Sequence, residues 1–206
     1  MKLQCTILAI LAATLFALPS WADDLDDIRL GESLANRNCA WCHGPAGKGF
    51  STAPRLAGQR SQYIRTQIES FKTHTRDNPK SQAYMWAASA ITPSQMARYV
   101  AAYYSSLSSE PASDGDAEQV TRGRAIYTDG IEQANVPACI ACHGPNAEGT
   151  GEIPRLGGLS HRYLSRKLVQ WGEGYHAAAA APMPGVASKL STNDIELLSS
   201  YLSFVK

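Results

Sequence analysis

The 206-residue chain lacks an excess of either charge: 19 Lys and Arg stand against 18 Asp and Glu. That balance excludes a basic nucleic-acid binder and an acidic solvating tail. Long strand-like alternation is absent too, which leaves an all-α fold class. Beyond the N-terminus no apolar run is long enough to cross a bilayer. Cysteine is scarce: five in all, of which Cys5 sits in the N-terminal apolar run and the other four fall in two short motifs. No cysteine outside them is left to act as a reactive thiol. Beyond Met1, the methionines are only Met85, Met96 and Met183.

Residues 1–22 read as a signal peptide, with Lys2 as the basic end, an apolar run over 3–18 and the small-x-small site Ser20-Trp21-Ala22. Cleavage before Asp23 leaves 18 bases against 18 acids. A retained N-terminal anchor is the alternative. Export implies a periplasmic location in a Gram-negative bacterium. There, four cysteines would ordinarily form disulfides. Here each pair lies in a C-x-x-C-H motif.

The chain is written twice at an offset of 100 residues. Cys39-Ala40-Trp41-Cys42-His43-Gly44-Pro45 answers to Cys139-Ile140-Ala141-Cys142-His143-Gly144-Pro145, and Pro54-Arg55-Leu56 to Pro154-Arg155-Leu156. Tyr63 matches Tyr163, Phe71 matches Trp171 and, after a small loop change, Met85 matches Met183. The Ser-, Pro- and Gly-rich stretch between the copies reads as a linker. The expected organisation is a domain over 23–108, a linker over 109–116 and a domain over 117–206. Each copy carries three helical signals: one before the Cys pair (26–37 and 116–128), one after the Pro-Arg-Leu element with Ser61 or Ser160 as N-cap, and a closing one opened by Thr92-Pro93 or by Ser191 to Asp194. Domains this small, rich in Gly, Ser and Ala, have a modest apolar core. A large buried cofactor would complete it.

C-x-x-C-H is a covalent haem attachment signal. Thiols at i and i+3 lie about one helical turn apart on one face and reach two vinyl groups of one porphyrin. The following histidine supplies an axial imidazole. The predicted attachment residues are Cys39, Cys42, Cys139 and Cys142, with His43 and His143 on the irons, giving two covalently bound haem c groups. A thioredoxin-like site would need a βαβ context. Structural zinc uses the same residue types, but the duplicated motif behind a signal peptide favours haem.

Low-spin electron-transfer haems take Met or His as second ligand. The positional match of Met85 and Met183 points to these two, and Met96, without a counterpart, reads as core. Met183 is framed by Pro182 and Pro184, whereas Met85 sits in the less constrained Tyr84-Met85-Trp86. His74 and His176 are rival ligands that do not repeat at matched positions. Pro54 and Pro154 each fall 11 residues after the haem histidine, where a carbonyl would accept the imidazole Nδ1–H. Arg55 and Arg155 are candidates to pair with haem propionates. Tyr63, Tyr163 and Trp171 are candidates either to donate to propionates or to pack on the porphyrin.

The duplicated C-x-x-C-H-G-P, the Pro-Arg-Leu-x-Gly element and the methionine before a final helix resemble the di-haem cytochrome c4 family. The resemblance spans the chain after the signal and is closest from Gly123 to Glu196. It implies two class I cytochrome c folds, His/Met ligation by His43 with Met85 and His143 with Met183, and electron delivery toward a haem–copper oxidase or related redox enzyme. The sequence departs from the pattern around Met85, where the 73–83 stretch differs from its second copy and the ligand loop is one residue shorter.

The expected function is single-electron transfer between periplasmic or membrane-bound redox partners, by a carrier that is no enzyme. No nucleic acid is involved, and peripheral association with a membrane stays open. Two alternatives stand beside it. One is a haem enzyme or gas-binding protein with one open or weakly ligated iron, and the other a dedicated electron acceptor of a periplasmic dehydrogenase.

Overall fold

The computed structural model describes residues 21–50, 52–178 and 180–206. The expected signal peptide lies outside the described residues, but for its last two positions. The chain is helical, with only isolated β-bridges among the described residues. The first unit comprises α1 (Trp21–Asn38), the short α2 (Ala40–His43), α3 (Ser61–Lys72), a π-helical turn over Ser81–Met85, α4 (Trp86–Ala90) and α5 (Ser94–Ser106). The second comprises a 3₁₀ turn at Ala117–Gln119, α6 (Val120–Asp129), a 3₁₀ turn at Glu132–Ala134, α7 (Ile140–His143), α8 (His161–Gly172), α9 (Met183–Ala187) and α10 (Thr192–Phe204). No helix among the described residues is long and apolar enough to cross a membrane.

The three expected helices of each copy are present, and their starts differ in detail. Pro93 is the N-cap of α5 rather than a first-turn residue. Ser191 caps α10 through a reciprocal capping box with Asp194. Ser160 sits at the start of α8, but the linker supplies the cap: Asp114 accepts from the His161 backbone N–H (2.8 Å) and from the Ser160 hydroxyl (2.7 Å). The linker is further fastened to the second unit by Ala112 N–H to Gly158 O (3.1 Å) and Ser113 N–H to Ser203 O (2.9 Å). The stretch read as a linker is therefore tied to the second unit through 112–114.

In each unit the first helix crosses the closing helix, α1 on α5 and α6 on α10. Sequence sets the depth of the crossing. A Cβ on Gly31 would collide with the backbone carbonyl of Tyr99, and one on Gly123 with that of Leu197. Glycine at these positions lets the backbones touch. The cores are small: Ala35, Ile64, Val100, Ala101, Tyr103 and Tyr104 in the first unit, and Tyr127, Ala147, Leu159, Leu164, Leu198 and Leu202 in the second. Met96 packs against the first, as expected of a core methionine.

Gly123→Ala is expected to pry α6 from α10 and to cost about 1–3 kcal/mol of stability. Gly172→Ala, whose Cβ would meet nothing closer than 3.9 Å, is expected to cost nothing. Guanidinium unfolding of the haem-loaded protein checks both.

Candidate haem sites and the surface between them

Each C-x-x-C-H turn is held in the same backbone frame. Gly49 N–H donates to His43 O (2.8 Å) and Leu56 N–H to Gly47 O (2.8 Å); Gly149 N–H donates to His143 O (2.8 Å) and Leu156 N–H to Ala147 O (2.7 Å). The folded-back loop requires glycine at 49 and 149, which have φ of +66° and +64° and whose Cβ atoms would run into the backbone of the Pro-Arg-Leu strap. The frame delivers the Pro54 and Pro154 carbonyls onto the imidazoles, at 2.9 Å from His43 Nδ1 and 3.0 Å from His143 Nδ1. With Nδ1 donating, Nε2 is the nitrogen left to bind a metal.

Both imidazoles are buried, His43 to 7% exposure and His143 to 6%. Burial holds each below the ordinary histidine pKa, against the pull of its proline carbonyl, and the Arg76 cation lowers His43 further. Neutral imidazole is the form that ligates. None of the four cysteines is in a disulfide. Cys39 and Cys139 pack against the cores, where burial pushes each thiol up to about 11, while Cys42 and Cys142 are exposed.

The matched methionines sit in different local structures. Met183 opens α9 and packs with Leu168, Ala187, Ile195 and Trp171. Met85 ends the π-helical turn, and the next residue anchors it, Trp86 Nε1 donating to Arg76 O (3.0 Å). His74, a rival ligand, is exposed and stacks on Trp86 at 3.9 Å between ring centroids. His176, the other rival, is buried to 2% exposure.

Between the units lies a buried polar cluster built from matched positions. Gln67 and Lys167 correspond, as do Arg76 and His176, so each unit contributes one strongly basic side chain. Arg76 Nη1 donates to Gln67 Oε1 (2.6 Å), and Lys167 Nζ to His176 Nδ1 (3.2 Å). Arg76 Nη2 crosses to Tyr163 Oη (3.0 Å), and His176 N–H crosses back to Asp77 Oδ1 (2.6 Å). Tyr63 lies in the same cluster, its hydroxyl pushed up to about 12 by burial despite Arg76. Burial, with Arg76 and Arg166 adding and Asp77 opposing, pushes the Lys167 amine down to about 6. Burial, Lys167 and Arg76 together push His176 down to about 3.

The arginines of the Pro-Arg-Leu strap have backbone partners. Arg55 Nη2 donates to Glu110 O (2.6 Å) and Arg155 Nε to Gly157 O (2.9 Å). The Trp171 indole N–H, Arg55 Nε, Arg76 Nε and His176 Nε2 are buried without a partner. Neither Arg76 nor Lys167 forms an ion pair with a carboxylate among the described residues. A buried guanidinium, a buried amine and orphaned donors, with Arg76 close enough to act on His43, fit a flat apolar cofactor that carries acidic groups. Haem c is such a group.

Comparison with known proteins agrees. The Cytochrome c family profile matches residues 28–108 and again 120–206, which makes the protein a c-type cytochrome with two such domains. The chain is 32% identical to cytochrome c4 of Thiocapsa roseopersicina over 88% of its length and 94% of that protein's. It is 31% identical to a thiosulfate dehydrogenase electron acceptor of Stutzerimonas stutzeri (strain A1501), over 96% and 94% of the two chains. It superposes on reduced recombinant cytochrome c4 from Pseudomonas stutzeri with a TM-score of 0.77 and 28% identity, covering 87% of this chain and 98% of that one. The chain belongs to the di-haem cytochrome c4 family. It carries haem c in covalent attachment and is an electron carrier, not an enzyme.

Sequence reasoning missed Arg76, Lys167 and Gln59. The signal was present in the repeat: Gln67 faces a lysine at its matched position, and Gln59 a leucine. Polar residues that break an internal repeat mark what differs between the copies.

Arg76→Leu is expected to strand Gln67 and Tyr163 and to cost about 1–3 kcal/mol. Amide exchange in α3 and α8 is expected to rise together. Arg98→Leu removes an ion pair to Asp27 (3.0 Å) on the surface and is expected to cost no more than about 1 kcal/mol.

Proposed function

We propose that His43 and His143 are the proximal ligands of the two irons, Met85 and Met183 the distal ones, and that Cys39, Cys42, Cys139 and Cys142 form the thioethers. The observation that carries this reading is the pair of buried imidazoles, each with Nδ1 committed to a proline carbonyl. The mature protein would begin at Asp23, function in the periplasm and consist of domains over 23–108 and 117–206. Haem supplies an iron that takes up and releases one electron while both axial positions stay filled. The chain's own residues fix the imidazoles in one tautomer, exclude water from them and hold cations against the acidic edges. Arg76, which lacks a carboxylate partner, is proposed for that last role beside Arg55 and Arg155, and Lys167 joins it where an acidic edge restores its charge. Tyr63, Tyr163 and Trp171 line the same surface as donors.

The partners we propose are redox proteins of the same compartment. Electrons enter from a periplasmic dehydrogenase, as the name of the Stutzerimonas relative suggests, and leave toward a terminal oxidase. Contacts of this kind are small and transient.

In the purified protein we expect two haems per chain, low-spin spectra and no response to carbon monoxide. A carbon monoxide shift for one haem would mean an open iron, and would remove Met85 first. Met183→Ala is expected to keep its haem attached, lose one of the weak red methionine–iron(III) bands and lower one reduction potential. Cys139→Ala combined with Cys142→Ala is expected to leave one haem per chain by haem assay and mass.

A further inference from the structure

Gln59 belongs to the first unit, where its Oε1 accepts from the Arg60 N–H (2.9 Å), yet its side chain also grips the second. It is buried to 4% exposure. Its Oε1 accepts from Arg155 N–H (2.8 Å) and its Nε2 donates to Arg155 O (2.9 Å). The N–H it receives belongs to the Pro154–Arg155 peptide, whose carbonyl accepts from His143 Nδ1 at 3.0 Å. One peptide group thus joins Gln59 Oε1 to the His143 ring. The neighbouring residue extends the hold, Arg60 Nε donating to Glu148 O (2.6 Å) on the loop that faces the same strap.

The arrangement is not reciprocated. The position matching Gln59 is Leu159, which has no polar atom to offer. Among the described residues the matched Arg55 N–H meets no side-chain acceptor.

We propose that Gln59 is a positioning residue for His143, through which the first domain sets the reduction potential of the second. The proposal rests on His143 being an axial ligand. A peptide whose N–H is donated to an amide oxygen is polarised, and its own carbonyl becomes a stronger acceptor. A stronger acceptor on Nδ1–H makes the imidazole a more basic ligand. More basic ligation favours the ferric state and lowers the potential. Gln59 therefore lowers the second potential and leaves the first alone, so two sites built from one repeated unit acquire different potentials.

The test is redox titration of the haem-loaded Gln59→Met variant, with the paramagnetically shifted NMR signals of each haem used to assign the potentials. The second potential is expected to rise, the first to hold, and the His143 ring signals to move. Gln59→Leu, the residue of the matched position, is measured alongside in case the Met variant does not accumulate. Arg60→Gln removes a neighbouring contact between the domains without touching the Pro154–Arg155 peptide, and is expected to move neither potential. Unchanged potentials in the Gln59 variants, or equal shifts in Arg60→Gln, would overturn the proposal and reduce Gln59 to interface packing. Absence of any paramagnetic shift on the His143 ring in the unmodified ferric protein would instead overturn the ligand assignment on which it rests.

Discussion

The hydrogen bond from a histidine Nδ1 to a proline carbonyl is the contact around which each domain is arranged. Proline has no N–H of its own to pair, and its fixed φ holds the strap that presents the carbonyl. The strap reaches the imidazole because Gly49 or Gly149 turns the intervening loop back through positive φ. The loop is in turn clipped to the strap by Leu56 or Leu156. Disturbing any one of these would release the ring, and with it the buried nitrogen left to bind a metal. Small cores suffice because so much of the fold is organised toward a cofactor rather than toward itself.

Most of this frame was legible in the sequence. The C-x-x-C-H motifs, the 11-residue spacing from histidine to proline and the three helices of each copy are local features, set by residues close in the chain, and they appear where expected, although Arg60 rather than Ser61 is the N-cap of α3. The closing helices follow the same logic. What was hidden depends on how the two copies meet. The pairing of Gln67 with Arg76 and of Lys167 with His176 spans only nine residues each. Its meaning arises only when Tyr163 and Asp77 close on it from opposite domains. The linker's composition marked a linker but not its contacts, because Ser, Pro and Asp are as common in caps as in flexible chain. Asp114 turned out to cap α8.

The surface between the domains is polar at its centre, and this is costly unless something compensates it. An apolar interface of equal area would hold the domains together with less penalty, since a buried cation must recover its lost hydration. Arg76 recovers part through Gln67 and Tyr163, whereas Lys167 meets only a neutral imidazole. Such a centre makes sense where each domain brings an anionic edge to the junction. Arg76, and Lys167 once an acidic edge restores its charge, would then serve two ends, neutralising acidic groups that would otherwise repel each other and raising the potential of iron nearby.

That logic separates two tasks which a duplicated protein must perform with one inherited unit. Shared features, the proline carbonyls and the buried imidazoles, keep both sites competent to hold haem. Features that break the repeat give the sites different surroundings: a guanidinium on one side against an amine on the other, and a glutamine that reaches across where its counterpart is leucine. A carrier with two identical sites would have no internal preference for where an electron rests. Here the differences cluster at the junction, where a substitution can act on either site without disturbing the frame that holds its histidine. Divergence between the copies is therefore cheapest outside that frame: at their shared surface, where Gln59 answers to Leu159, and on the outside of the loop after each C-x-x-C-H turn, where Lys48 answers to Glu148.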